Sequence, residues 1–184
     1  SVREDLKRLV KEIEDEVRKS KKDLDDSVRE DKREVRESKE DSKRSVKRSE
    51  EEVRKIKKRT DDDELVKRLE DILRENKRVN DEAMKRDDKV SKENEDVVRK
   101  VVREDEDVLR TARRVVKEVS ERIRDEEVAK RVRELLEEIM RRLRKTSEEA
   151  RRRSKKITDD LRESSKKVRE DSERLRKRLE EEAK

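Results

Sequence analysis

The chain of 184 residues contains no cysteine, histidine, glycine, proline, phenylalanine, tyrosine or tryptophan. Without cysteine there are no disulfides, thiolate nucleophiles or thiolate metal sites, and without histidine the usual neutral-pH acid or base and the commonest zinc ligand are gone. These absences exclude most enzyme chemistry, so no catalytic residue, cofactor or metal is expected. With no glycine or proline to punctuate it and no shift in composition along it, the chain is expected to form one domain over residues 1–184. Long apolar runs are also missing. No stretch approaches the roughly 18–20 residues of a membrane span, and the N-terminal "SVREDLKRLV" lacks the apolar core of a signal peptide. A soluble chain with no membrane partner is predicted, cytoplasmic when expressed in a host.

What the chain has instead is charge: 63% of residues are Asp, Glu, Lys or Arg, with 61 basic against 55 acidic and a net charge of +6. The two signs are interleaved. A nucleic-acid surface needs a basic face, preferably with aromatic residues for stacking, and every basic stretch here has acids beside it. The densest, "RRLRKTSEEARRRSKK" from Arg141 to Lys156, is read as a solvated helix face. No specific nucleic-acid binding is expected.

The apolar residues are few but strictly placed. In the first 59 residues they fall at 2, 6, 9, 10, 13, 17, 24, 28, 35, 46, 53 and 56, and the serines at 20, 27, 38, 42, 45 and 49, with Asp31, fill the gaps of the same series. Modulo 18 these positions reduce to six classes, and every other position from Arg3 to Arg59 is charged. Eighteen residues are about five turns of an undistorted helix, whereas a heptad repeat imposes a left-handed supercoil. The stripe therefore runs straight along a helix, with the serines on the inward face and the outside left to charge.

The stripe changes phase twice. Leu65, Leu69, Ile72, Leu73, Asn76, Asn80 and Ala83 lie about half a turn away from the first set, and from Val128 onward Val132, Leu135, Leu136, Ile139 and Leu143 return to it with an offset of 126. Both jumps coincide with helix start signals, "TDDDEL" with Asp62 as N-cap and "RDEEV" with Asp125 as N-cap. Three nearly straight helices of about 58 residues, each about 87 Å long, are predicted over 2–59, 63–122 and 126–183. The fold class is all-α: a monomeric up-down-up antiparallel three-helix bundle with short connections and no apolar outer face for a partner.

In such a bundle residue n of the first helix should lie near 122–125 minus n on the second and n plus 126–127 on the third. The rule gathers polar residues into layers: Ser20 with Asp105 and Thr146, Ser27 with Asn94 and Ser154, Ser38 with Asp87 and Ser164, and Ser45 with Asn76 and Ser172. An unsatisfied buried amide or carboxylate costs about 1–3 kcal/mol, so each Asn or Asp is expected to take hydroxyl partners from the other two helices. The apolar end should join Leu6, Leu9, Val10 and Ile13 with Val115, Val116, Val119 and Ile123 and with Val132, Leu135, Leu136 and Ile139.

The division of charged outside from aliphatic or hydroxyl inside, the 18-residue period and the Asp-led loops resemble parametrically designed three-helix bundles with hydrogen-bond-network cores. The low aliphatic content departs from that style, whose cores are usually rich in Leu and Ile. The resemblance implies a scaffold that tests a polar core, with no natural activity, ligand or localisation. A coiled-coil or spectrin-like interaction scaffold is the alternative; it would normally carry aromatics, glycine and irregular repeats. A single-helix spacer does not account for the phase jumps. Inward carboxylates for a metal site reduce to Asp31, Asp87 and Asp105, in separate layers.

Overall fold

The computed structural model describes residues 1–184 and contains three helices, α1 (Val2–Lys57), α2 (Asp63–Glu121) and α3 (Glu126–Glu182), with no strand. They form a three-helix bundle in which every pair of helices is in contact. Each start is built as acidic caps build helices. Asp62 Oδ1 accepts from the amides of Glu64 and Leu65, both at 3.1 Å, and Asp125 Oδ1 accepts from Glu127 N at 2.9 Å. Thr60 Oγ1 accepts from Asp62 N at 3.1 Å, fixing the approach to α2. Acidic residues in all three first turns complement the positive helix ends.

Two compact units divide the chain, residues 1–29 with 93–156 and residues 30–92 with 157–184, and each draws on all three helices. In the first, Glu14 pairs with Arg113 at 3.0 Å and Lys21 with Glu106 at 3.4 Å: the number on α2 falls as that on α1 rises, so the two helices are antiparallel. Ser27 and Ser154, 127 residues apart, are hydrogen-bonded between α1 and α3, which run parallel. Its core joins Leu6, Leu9, Ile13 and Val17 to Val116 and Val119 of α2 and to Ala129, Val132, Leu136, Met140 and Leu143 of α3. A smaller cluster of Leu24, Val98 and Ala150 follows.

In the second unit Lys39 pairs with Asp88 at 2.8 Å and Glu50 with Lys77 at 2.9 Å, again antiparallel, while Ser38 with Ser165 and Asp31 with Thr158 keep the separation of 127 on α3. Its only apolar cluster has five buried members, Val53, Leu69, Ile72, Leu175 and Leu179. Hydrophobic burial at about 25 cal/mol per Å² therefore acts mainly in the first unit, and in the second unit buried polar residues, eleven in number, stand beside nine buried apolar ones.

The face of α3 that turns inward differs by one residue from the offset of 126. Ala129, Leu136, Met140 and Ser147 are buried, whereas Leu135 is 57% exposed and Thr146 is exposed. The inward role expected of Leu135 and Thr146 thus falls to their neighbours. One residue is about 100° of helix, and the observed separation of 127 turns the helix by that amount. Val10, Val115, Ile123 and Ile139 pack against the first cluster as expected, partly buried.

Candidate functional site: the buried polar layers

Sixteen polar residues are buried, and they lie on the inward faces of all three helices. The most extended network belongs to the second unit. Asn76 Nδ2 donates to Ser49 Oγ at 3.2 Å, and Asn80 Nδ2 reaches Asn76 O at 2.7 Å, Asn76 Oδ1 at 2.9 Å and Ser172 Oγ at 3.2 Å. The connected path Ser49, Asn76, Asn80, Ser172 touches α1, α2 and α3 in turn. Two amide protons of Asn80 are shared among three acceptors, while its Oδ1 is buried with no partner.

This arrangement corrects one expected layer. Asn76 is held by Ser49 and not by Ser45, and Ser172 serves Asn80 and not Asn76. The polar pairing of α1 with α2 is displaced by four residues, about one helical turn, which keeps every side chain on its face. In the first unit Ser27 and Ser154 bond each other, and Asn94 is buried as well.

The aspartates of the expected layers, Asp87 and Asp105, are both buried. Ser164 Oγ donates to Asp87 Oδ1 at 3.0 Å, and beside it Ser165 Oγ donates to Ser38 Oγ at 3.2 Å. Asp87 Oδ2 is buried without a partner, and burial raises the carboxyl above its ordinary range against the opposing pull of the Ser164 hydroxyl and Arg86. Ser20, Asp105 and Ser147 are all buried, with Ser147 where Thr146 was expected. Ser20 Oγ has no partner. Burial, and then the nearby carboxylates of Glu104 and Glu16, push Asp105 up to about 6. A further pair, outside the four expected layers, joins Thr158 Oγ1 to Asp31 Oδ1 at 2.5 Å.

Chemically these groups are hydroxyls, amides and carboxylates that serve as donors and acceptors for one another. No group of three or more acidic side chains converges to hold a metal ion, and no helix is long and apolar enough to cross a membrane. The outer faces carry ion pairs three or four residues apart on one helix, such as Arg18 with Glu14 and Arg142 with Glu138, both at 2.8 Å. Comparison with protein-family models, curated proteins and solved structures finds no match to this chain.

Proposed function

We propose that the chain is a structural scaffold, a designed three-helix bundle whose register is set by polar groups in place of a continuous aliphatic core, with no catalytic activity. The observation that carries this reading is the path from Ser49 through Asn76 and Asn80 to Ser172, which connects all three helices by side-chain hydrogen bonds. Buried polar groups contribute little net stability, since replacing a satisfied network by apolar groups of equal volume is often neutral or stabilising. Their best-attested use is to penalise alternative alignments, in which the same amides are left unsatisfied. A scaffold with 26% hydrophobic residues has need of such a device. The reading includes a monomeric state, because three helices close a core within one chain and the outer faces are charged.

The test replaces the path by apolar residues, Ser49→Ala, Asn76→Leu, Asn80→Leu and Ser172→Ala together, and compares amide NMR spectra and sedimentation mass. The expected variant remains helical but shows multiple or broadened resonances or a mixture of association states. A single sharp spectrum and a monomeric mass would sink the register role.

A further inference from the structure

The two units are nearly equal in length but differ in what they bury. The first buries sixteen apolar residues with five polar ones, whereas the second buries nine with eleven. Five of those nine form the cluster around Leu69 and Leu179, next to the α1–α2 connection, and the other four join no cluster. Farther along the second unit, a groove of about 470 Å³ between α1 and α3 is lined by Ser42, Ser45 and Ser172. Side chains along such a space lack packed atoms on one side and forfeit dispersion contacts there. Segments with few buried apolar contacts open at lower free energy than the rest of a fold, and they do so as contiguous cooperative units.

Asp87 adds a titratable group to this weaker unit. It is 3% exposed; its Oδ1 accepts from Ser164 of α3 at 3.0 Å, and its Oδ2 accepts from nothing. The charges around it do not compensate. Arg86 beside it on α2 is opposed by Asp88 on the same helix and by Glu34 from α1, while Asp88 is itself held by Lys39 of α1 at 2.8 Å. Burial outweighs these influences and raises the carboxyl above its ordinary 3.8. In an opened unit the group is hydrated and ionises at its ordinary value. At or below that value both forms hold the proton and burial costs nothing; as pH rises above it the closed form bears a buried charge that the open form hydrates.

We propose that the second unit opens cooperatively while the first stays folded, and that uptake of a proton by Asp87 closes it. Most helical stability in proteins comes from tertiary packing, so residues 30–92 and 157–184 lose their helical support together when their shared interior opens. The first unit keeps its own core around Leu6, Ile13 and Leu136, none of which lies in the segment that opens. The proton is exchanged with solvent, so the device needs no ligand. The inference goes beyond the scaffold reading and does not rest on it.

The experiment is native-state amide hydrogen exchange on the full chain at pH 5, 6 and 7, with rates corrected for the intrinsic pH dependence of exchange. Mid-helix amides of the second unit should exchange about tenfold or more faster than those of the first, through an opening that urea accelerates less steeply. Ile13→Val, in the core of the first unit, should speed exchange there by about fivefold and leave the second unit unchanged, because Ile13 stays packed when the second unit opens. An all-or-none fold would instead transmit that loss to every amide. Protection of the second unit should rise from pH 7 to pH 5. Asp87→Asn, equal in shape and uncharged, should raise that protection at pH 7 and flatten its rise toward pH 5. Equal protection in the two units, or equal acceleration of both by Ile13→Val, would overturn the independent opening. Parallel pH profiles for the parent and Asp87→Asn would overturn the role of the proton.

Discussion

Asn80 Nδ2 lies 2.7 Å from the backbone oxygen of Asn76 and 2.9 Å from its side-chain oxygen, so two asparagines one turn apart on α2 act as a single unit. The unit presents one donor to Ser49 on α1 and another to Ser172 on α3. Removing Ser49 takes away the hydroxyl that accepts from Asn76 Nδ2, whereas Asn80 Nδ2 without Ser172 keeps both oxygens of Asn76. Ser49→Ala should therefore cost about 1–2 kcal/mol in urea unfolding, and adding Asn76→Leu should recover most of it. If Ser49→Ala instead stabilises the protein with Asn76 intact, the serine is a diluent and the bond contributes nothing.

Asp105 gives a pH signature of definite sign. Its folded value, about 6, lies above the ordinary 3.8, so the folded state favours the protonated acid. Below pH about 4 the group is protonated in both folded and unfolded chains and costs nothing; from there to pH about 6 the burial penalty grows, and above it the penalty is complete. Asp105→Asn should thus be more stable than the parent by on the order of 2–3 kcal/mol at pH 8, and the difference should vanish near pH 4. Parallel stability profiles for the two proteins across this range would refute the assignment.

The rotation of α3 predicts opposite outcomes at adjacent positions. Thr146→Lys, on the exposed side, should change stability by less than about 0.5 kcal/mol, whereas Ser147→Lys forces an ammonium into the interior and should cost about 3 kcal/mol or more. Leu135→Glu should likewise be nearly neutral while Leu136→Glu unfolds the first unit. Thermal melts of the four variants decide the face. A reversed order at either pair would restore the separation of 126.

At the connections, Asp62→Ala removes the acceptor for two amides and Asp125→Ala the acceptor for one. Each should lower stability by about 1 kcal/mol, with Asp62 the larger. Asparagine at either position should restore most of the loss, as a capping role requires and a purely electrostatic one does not. Equal losses for alanine and asparagine would transfer the effect to the helix dipole.

Much of this was legible in the sequence because the signals were independent of tertiary detail. A phase jump in the stripe and an Asp-led start at the same point defined Asp62 and Asp125 as boundaries, and the placing of Leu6, Leu9 and Ile13 with Val116 and Val119 followed from antiparallel neighbours. The azimuth of α3 was legible only to within one residue, 126–127, because its stripe is doubled: Val128 and Ala129, Leu135 and Leu136, Ile139 and Met140, and Thr146 and Ser147 each offer an apolar or small residue at consecutive positions. Nor could periodicity separate Ser45 from Ser49 as the partner of Asn76. A shift of one turn preserves the face, and only the bond from Asn76 Nδ2 to Ser49 Oγ chooses between them.

The 18-residue recurrence has a consequence for alignment errors. Buried Ser20, Asp105 and Ser147 reappear as Ser38, Asp87 and Ser165, each number moved by one full period. A helix slid by about five turns would meet hydroxyls and carboxylates of the same kind, so the polar pattern reads like a vernier with repeated marks and cannot reject that particular slip. What rejects it is the unevenness of the aliphatic groups. Leu6, Leu9 and Ile13 would leave Val116 and Val119 and lie near Val101, Val98 and Asn94, where the inward stripe carries a smaller apolar cluster. Fine adjustment thus belongs to the hydrogen bonds and coarse adjustment to the concentration of leucine, isoleucine and valine toward one end, so spreading those residues evenly, at constant composition, would leave the fold degenerate in translation.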